Sequence, residues 1–397
     1  MRIWIRFVAV LIISVGISGC KDSDVRQLET NLATTNSEPI VIGILASVLN
    51  NDSLLRGVKL AVKEINAKTA FQNHPLQIEG YVLPESESNE MDIVRKMVGN
   101  DRLLAVINGL NTKHTALADR ILLIHKKIHI VIANSSMSIS QDSPLSFRII
   151  PNDRIVSRQI VERMEWNWHN VAVIQERDDK RVLQVKAFLE AAAESGINIS
   201  QTISFFPWEN DIRQLLWNLR EKINKNQEYL DAIYIACDPV DLTRIIKQVR
   251  AMNLNSPIIT PNDLQNIIRL QAAGSAANGL LMASYFNPDA PEPHVQEFVK
   301  RFRSEYPNNH PDLWAARGFD AIWMLAKSIE LAKTDNAWEV ASEMLLVEKW
   351  HGVTGRIVFN IAGDVSEYVP YYLKQYCNGN FIFLTEDQPI PLCPPYP

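Results

Sequence analysis

The residue types that carry catalysis or metal binding are present in this chain, but their spacing fits neither role. Nucleophilic hydrolases, zinc proteases and nucleotide-binding enzymes carry short motifs such as GxSxG, HExxH, the Walker loop and GxGxxG, and the sequence contains none of them. The eight histidines are scattered, and the four cysteines form no CxxC pair. We therefore predict that the protein is not an enzyme and uses no cofactor or metal.

The charge balance argues against a nucleic-acid partner. The 397 residues include 40 Lys and Arg against 45 Asp and Glu, a net charge of −5, and no basic stripe is interleaved with aromatic residues. Apolar residues make up 47% and charged residues 21% of the chain, which is typical of a folded globular protein. The length is sufficient for a large two-lobed domain or for two to three ordinary domains.

The first twenty residues have the pattern of an export signal. Two arginines precede an apolar run over residues 7–17, which is shorter than the about 20 residues that a spanning helix needs. The run ends in Ile17-Ser18-Gly19-Cys20, which matches a bacterial lipobox. We expect a lipoprotein signal peptide over 1–19 and diacylglycerol on Cys20, so that the protein is extracytoplasmic (periplasmic or cell-surface) and attached to the membrane through its N-terminal lipid. An ordinary signal peptide with an accidental cysteine is the alternative.

Beyond a polar tether over residues 20–38, strand and helix patterns alternate. An apolar run over 39–45 predicts a buried strand, and helical periodicity follows over 53–68. The alternation continues to residue 133, and a second set spans 158–260. This order predicts an α/β fold with doubly wound parallel sheets, in which ligands bind at the carboxyl ends of the strands. The loops at these ends follow Ile107, Ala133, Gln175, Cys237 and Thr260.

Several segments, in order, carry a resemblance to one family. They are residues 42–44 (IGI), 56–66 (RGVKLAVKEIN), 147–153 (FRIIPND), 171–174 (VAVI), 318–321 (GFDA) and 352–364 (GVTGRIVFNIAGD). Together they resemble the type I periplasmic solute-binding proteins, in particular the Leu/Ile/Val-binding branch of branched-chain amino acid ABC transporters. The resemblance covers about residues 40–376.

The resemblance implies a periplasmic binding protein-like I architecture, with two lobes joined by a three-segment hinge that closes on a solute. The crossings between lobes are expected near 147–152, 283–288 and 351–356. The expected boundaries are 39–148 with 287–351 for lobe 1, 152–283 with 355–376 for lobe 2, and 377–397 for a C-terminal extension.

The resemblance also implies which loops hold the ligand. In this family, hydroxyls and backbone N–H groups hold the ligand carboxylate, and a carboxylate of the second lobe holds the ammonium. Carried over position by position, the candidate ligand-binding residues are Asn111, Thr112, Lys113, Ser135, Ser136, Lys180, Asp238, Asn262 and Asp263.

Several positions depart from the family pattern, among them Asn262, a neutral residue nearest to the acidic residue of the family. Lys113 stands where the family has a small hydroxyl residue, and Lys180 stands where it has an aromatic residue over the ligand. Met137 stands about where the family has a threonine, which removes one donor. The two lysines predict a ligand more acidic than leucine.

The candidate residues also have structural interpretations. Asp238 precedes a proline and is a natural N-cap for the following helix. Ser135 and Ser136 could satisfy loop backbone, and the lysines could be solvated surface charges. Asp320 lies three residues after Arg317 on a predicted helix, which favours a local ion pair over a ligand contact.

The remaining cysteines predict one disulfide. Cys377 and Cys393 are 16 residues apart near the C-terminus, and export to an oxidising compartment favours their pairing. Cys237 ends an apolar strand and is expected to be a buried free thiol.

Two functions remain open at this point. The first is a lipid-anchored solute-binding protein that captures a small polar metabolite, an amino acid or a related amide or carboxylate, for an ABC importer. Its partners are a small-molecule ligand and an ABC permease or membrane sensor. The second is a ligand-free interaction or regulatory lipoprotein that keeps the same fold.

Overall fold

The structure is a computed structural model. It describes residues 26–29, 38–47, 51–71, 73–83, 90–110, 115–136, 143–164, 168–226, 229–261, 270–346, 350–365, 371–384 and 393. The predicted signal peptide and Cys20 lie outside these residues.

The first lobe is built on a mostly parallel sheet, with the strand order β1-β3-β2-β4-β5-β6. Its strands are β1 (Arg26–Glu29), β2 (Ile40–Ser47), β3 (Leu76–Leu83), β4 (Leu103–Asn108), β5 (Ile128–Val131) and β6 (Ser146–Arg148). Its first helices are α1 (Asn51–Asn66), α2 (Glu90–Met97) and α3 (Thr115–Ile124). All six residues of β4 are buried, because helices cover both faces of the sheet.

The second lobe repeats this plan, with the strand order β15-β14-β11-β10-β9-β7-β8. Its parallel strands are β7 (Asn170–Glu176), β8 (Asn198–Phe205), β9 (Ala232–Ala236), β10 (Ile258–Thr260) and β11 (Leu280–Ser284). An antiparallel hairpin, β14 (Tyr372–Cys377) and β15 (Asn380–Leu384), completes the sheet. Its helices are α4 (Asp153–Met164), α5 (Asp179–Glu194), α6 (Arg213–Asn226) and α7 (Pro239–Ala251).

After β11 the chain returns to the first lobe. Three helices follow, α8 (Pro293–Glu305), α9 (Leu313–Ala332) and α10 (Ala337–Leu346), and then a short ribbon of β12 (Trp350–Gly352) and β13 (Gly355–Ile357). Helix α8 is joined to α1 by an ion pair between Arg301 and Glu64 at 2.8 Å, and α9 packs along α1. The predicted α/β fold with two doubly wound lobes is confirmed.

The sheet to which each strand belongs shows where the chain crosses between the lobes. β6 belongs to the first sheet, whereas α4, five residues later, packs on α5 of the second lobe. Residues 364–365 still bridge to the first lobe and to Phe359, and the second sheet resumes at β14. The exact domain boundaries given above stay predictions.

The expectation of a flexible tether over 20–38 is wrong at residues 26–29. These residues form β1, which pairs antiparallel with β3. The outer edge of β3 offers unpaired N–H and C=O groups, to which an extended segment can add as a strand. The polar sequence of β1 carries no alternation that would have indicated this pairing.

Cys377 and Cys393 are joined by a disulfide, the pairing that the sequence predicts, with their Cα atoms 5.9 Å apart. Cys237 is a buried free thiol.

Because the disulfide closes a loop with a sequence separation of 16, Cys393→Ser is expected to lower the free energy of unfolding by about 3 kcal/mol. Urea denaturation measures this loss. Reductant should lower the stability of the wild type to the level of the variant and leave the variant unchanged; an unchanged wild type would contradict the prediction.

Candidate functional site

Four predicted ligand-binding residues lie at the carboxyl ends of the strands, and two of them, Ser135 and Lys180, interact with Asp153. Ser135 and Ser136 follow β5, Lys180 lies in the first turn of α5 after β7, and Asp238 follows β9. The other five lie outside the described residues: Asn111, Thr112, Lys113, Asn262 and Asp263.

Asp153 is the first residue of α4 and connects the loop after β5 with α5. Its carboxylate Oδ1 accepts hydrogen bonds from Ser135 Oγ at 2.7 Å and from Gln184 Nε2 at 3.2 Å. Its backbone N–H donates to the carbonyl oxygen of Ser135 at 3.0 Å. Since Ser135 belongs to the first lobe and Gln184 to the second, Asp153 connects the two lobes beside their first crossing.

Among the residues that the structure describes, the second carboxylate oxygen of Asp153 has no hydrogen-bond partner, although Asp153 is only 2% exposed. Burial raises the pKa of Asp153, while the hydrogen bonds from Ser135 and Gln184 and the charges of Lys180 and Arg148 lower it. Within the described part of the chain, the Oε1 atom of Gln184 and the hydroxyl of Tyr234 are also buried without a partner. A buried polar atom without a partner costs free energy, which a bound group with suitable donors recovers.

Tyr234 lies on β9 and stacks on Phe188 of α5, with ring centroids 3.8 Å apart. Burial and the nearby charge of Asp153 raise the pKa of Tyr234. A neutral phenol beside a carboxylate is a hydrogen-bond donor, so this hydroxyl adds to the polar surroundings of Asp153.

Lys180 is the second residue of α5. This helix begins at Asp179, because Asp178 caps it by accepting from the backbone N–H of Arg181 at 2.8 Å. The Lys180 side chain as a whole is partly exposed, but burial of its ammonium and the charge of Arg181 lower its pKa to about 8. The carboxylates of Asp153, Asp178 and Asp238 act in the opposite direction.

Asp238 belongs to a network of charges. Its Oδ2 atom pairs with Arg181 Nη2 at 3.1 Å, and its Oδ1 atom accepts from the backbone N–H of Val240 at 2.9 Å as the N-cap of α7. Its own N–H donates to the Glu176 carboxylate at 2.6 Å, and burial raises the pKa of Glu176. Asp238 thus serves the structural role considered above, and its contact with a ligand stays a prediction.

The loop after β5 uses its donors within the protein. The hydroxyl of Ser135 donates to Asp153, and the backbone N–H of Ser136 donates to Asn134 Oδ1 at 3.0 Å. The carbonyl oxygen of Ser136 accepts from the guanidinium of Arg148. These two donors, expected to hold a ligand carboxylate, are therefore already engaged.

The sequence motifs near the hinge have structural roles. Arg148 is fully buried and pairs with Asp364 Oδ2 at 2.7 Å, which joins the first crossing to the end of the GVTGRIVFNIAGD segment. Asp320 on α9 accepts from the N–H groups of Val353 and Thr354, both at 2.8 Å, and from the Thr354 hydroxyl at 2.6 Å. The expected ion pair between Asp320 and Arg317 is wrong: Arg317 donates to the carbonyl of Ile132 instead.

The Asp320 carboxyl is expected to make stability depend on pH. Burial raises its pKa to about 6, whereas its value in the unfolded chain is near 4. The folded state therefore holds the proton more tightly, and the free energy of unfolding falls as pH rises from about 4 to about 6, by about 3 kcal/mol from this group. The Asn side chain of Asp320→Asn does not titrate, so this variant lacks the pH-dependent contribution of the Asp320 carboxyl to the free energy of unfolding.

Urea denaturation of the wild type and of Asp320→Asn at several pH values measures this effect. The stability of the wild type relative to the variant should fall across that window, while other carboxyl groups affect both proteins equally. A constant difference would show that Asp320 stays ionised in the folded protein.

The part of the chain that the structure describes contains no group of three or more His, Cys, Asp or Glu side chains that could hold a metal ion. No helix in this part is long and apolar enough to cross a membrane.

Two α/β lobes joined at a hinge, with polar side chains at the carboxyl ends of their strands, define a type I periplasmic binding fold. A periplasmic binding protein family model matches residues 43–376. The chain belongs to this family, as the sequence motifs predict. No curated protein sequence matches the chain.

Solved structures agree with this assignment. An ABC transporter substrate-binding protein from Desulfitobacterium hafniense, in complex with Leu, is 25% identical, covers 87% of this chain and 100% of its own, and superposes with a TM-score of 0.76. LivJ from Streptococcus pneumoniae, in complex with isoleucine, is 19% identical over 87% and 98% of the chains, with a TM-score of 0.73. A solute-binding protein from R. palustris in complex with benzoate is 18% identical over 87% and 95%, with a TM-score of 0.71.

Sequence reasoning missed Asp153 as a site residue. It ends the FRIIPND segment and opens α4, and an aspartate at a helix start has the same local pattern whether it caps the helix or binds a ligand. Its position directly after the first crossing is the signal that could have singled it out.

Proposed function

We propose that this chain is a lipid-anchored, extracytoplasmic solute-binding protein that captures an amino acid, or a related small amide or carboxylate, for an ABC importer. Family membership supports an extracytoplasmic binding role. The D. hafniense and S. pneumoniae proteins, which bind Leu and isoleucine, support the amino acid class and the transporter partner. The N-terminal signal pattern supports the lipid at Cys20.

The observation that carries this proposal is the buried Oδ2 atom of Asp153 where the lobes meet, an acceptor for which the described residues supply no donor. A ligand ammonium or amide that donates to this oxygen recovers the cost of its burial. Because Asp153 also contacts Ser135 of the first lobe, such a ligand stabilises the closed arrangement of the lobes. Closure is the signal that an ABC permease or a membrane sensor recognises.

The charged side chains of the site indicate which charge the ligand is expected to carry. Lys180 and Arg181 are surrounded by four acids, Asp153, Glu176, Asp178 and Asp238. Since the acids outnumber the bases, Lys180 does not by itself create a site for a purely anionic solute. A ligand that carries an ammonium group suits this balance better than a simple carboxylate.

The test is a thermal-unfolding screen of the purified full-length protein against amino acids, small amides, short peptides, carboxylates and polyamines. A ligand at 100 times its dissociation constant adds about 2.7 kcal/mol, which raises the midpoint by a few degrees. A reproducible shift with amino acids or their amides supports the proposal. A flat screen of a folded protein without co-purified ligand overturns it and favours the ligand-free interaction lipoprotein.

A further inference from the structure

The N-terminal segment joins the first lobe at two places. Strand β2 enters the lobe at Ile40, and the earlier strand β1 (Arg26–Glu29) pairs with the outer edge of β3. Ile40 lies at the amino ends of the parallel strands, opposite the carboxyl ends that carry the proposed ligand site. If Ile40 were the first point of attachment, a tether from Cys20 would reach the lobe at the end far from the ligand.

The register of β1 places its first residue at the other end of the sheet. β1 is antiparallel to β3, and Arg26 lies opposite Val82, near the carboxyl end of β3. Ile40, in contrast, pairs with Leu76 at the amino end of β3. The strand from Leu76 to Val82 spans about 20 Å. β1 therefore moves the point where the chain from Cys20 meets the lobe to the ligand side of the sheet.

The strand order places Arg26 on the side of the lobe away from the hinge. β1 and β6 are the outermost strands of the first sheet, and β6 leads into the first crossing. Arg148 at the end of β6 pairs with Asp364, so a later crossing lies beside the first one. Five strand spacings, about 24 Å, separate β1 from β6. Arg26 thus lies at the mouth of the cleft between the lobes, the side that is opposite these crossings.

The chain that links Cys20 to this corner of the lobe is short. Five residues separate Cys20 from Arg26, and such a link spans at most about 22 Å. The link from Cys20 to Ile40 would span at most about 70 Å if β1 were not paired. A lipid on Cys20 therefore holds the β1 corner close to the bilayer only when β1 is paired with β3, and a short link at one corner restricts how the lobe can turn.

We propose that β1 is part of the membrane anchor: its pairing with β3 fixes the lipid-bearing end of the chain beside the mouth of the cleft and turns this mouth toward the bilayer. The inference rests on the lipid at Cys20, which belongs to the proposed function, and adds how that lipid orients the protein. Because an importer lies in the same bilayer, the cleft then opens on the side of its permease.

The experiment measures the orientation of the purified full-length lipoprotein on vesicles of phosphatidylethanolamine and phosphatidylglycerol. A fluorophore is placed on Asp52→Cys or on Asp101→Cys, and energy transfer to an acceptor lipid gives its distance from the bilayer. Asp52 is exposed and follows β2 on the ligand side, whereas Asp101 is exposed and precedes β4 at the amino ends. Of the other cysteines in the described residues, Cys237 is buried and the remaining two form the disulfide, so the dye attaches at the introduced thiol.

The label at position 52 should lie at least about 10 Å nearer to the bilayer than the label at position 101, which is half the height of the sheet. Gln27→Pro combined with Leu28→Pro should abolish this difference. Alternate N–H groups of a strand point to its neighbour, so one of two adjacent prolines removes a hydrogen bond to β3 in either phase. Thr34→Pro combined with Thr35→Pro is the matched control, since it adds the same residues between β1 and β2 and should behave as the wild type.

Amide hydrogen exchange shows whether β1 is paired in each protein. The N–H groups of residues 79–82 should exchange faster in the Gln27→Pro, Leu28→Pro variant than in the wild type or the control, because the outer edge of β3 loses its neighbour. Equally fast exchange in the wild type would show that β1 is not paired with β3 and would overturn the inference.

The outcomes separate the inference from the proposed function. Equal distances of the two labels in the wild type, or a difference that persists in the β1 variant, overturn the inference and leave the lipid anchor and solute capture standing. If mass spectrometry finds no diacylglycerol on the protein and it does not bind the vesicles, the lipid anchor itself fails and the inference fails with it. Solute capture is then still decided by the thermal-unfolding screen.

Discussion

Asp364→Asn is expected to lower the free energy of unfolding by about 3–5 kcal/mol, because it removes the ion-pair partner of the buried Arg148 guanidinium. The Arg148 side chain has no exposed surface and that of Asp364 is 6% exposed, with 2.7 Å between Nη2 and Oδ2. Backbone bonds reinforce the contact: Arg148 donates to the carbonyl of Gly363 at 2.8 Å, and Val365 donates to that of Arg148 at 3.1 Å. Urea denaturation monitored by circular dichroism measures the loss.

A surface pair provides the control for this experiment. Asp92→Asn removes a partner of Arg95 at 2.8 Å, but both side chains are mostly exposed, at 77% and 62%. Exposed pairs contribute about 0–1 kcal/mol, so this variant should be close to the wild type. The double variant Arg148→Met with Asp364→Asn should recover part of the loss, since it removes the unpaired charge. A cost below about 1 kcal/mol for Asp364→Asn would show that water reaches the guanidinium.

The fold could be predicted because its signals are local. The strands β4 and β9 are continuous apolar runs, which is typical of parallel strands covered on both faces. Asp238 and Pro239 mark the start of α7, and Gly196, with a φ of +71°, follows the end of α5. Each of these features is encoded within a few neighbouring residues.

The contacts of the site could not be predicted in the same way, because they join distant parts of the chain. Asp153 contacts Ser135 and Gln184, which are 18 and 31 residues away in sequence. Arg148 and Asp364 are 216 residues apart. Such pairs share no local pattern, and the family resemblance indicated their segments without indicating that these side chains meet.

Asp320 shows how a local rule can give the wrong partner. Spacing on α9 favours an ion pair with Arg317, but the carboxylate instead receives three hydrogen bonds from the turn at Val353 and Thr354. A buried carboxylate gains more from several fixed donors than from one charged neighbour that has another acceptor, here the Ile132 carbonyl. The turn between β12 and β13 becomes visible as a partner only in the folded chain.

Gly57→Ala is the second substitution with a large expected effect, a loss of about 2–3 kcal/mol in the free energy of unfolding. A Cβ atom at Gly57 on α1 would clash with the carbonyl oxygen of Ala315 on α9. Because the carbonyl oxygen of Ala315 is a backbone atom, no side-chain rotation relieves the clash, and the two helices must separate. Without this contact, the same substitution inside a helix would stabilise the protein by about 1 kcal/mol.

Whether Gly57→Ala lowers or raises the free energy of unfolding therefore tests whether α1 and α9 approach as closely as the structure shows. Gly318 on α9 supports the close approach, since a Cβ there would meet the carbonyl oxygen of Leu54 at 2.8 Å. Gly274→Ala is the control: its φ is +61° and nothing lies within 4 Å of the added carbon, so its cost is backbone strain of about 1 kcal/mol alone. Thermal and urea unfolding of both variants give the comparison. A stabilised Gly57→Ala would place the helices farther apart, and the glycine of the RGVKLAVKEIN segment would then have no packing role.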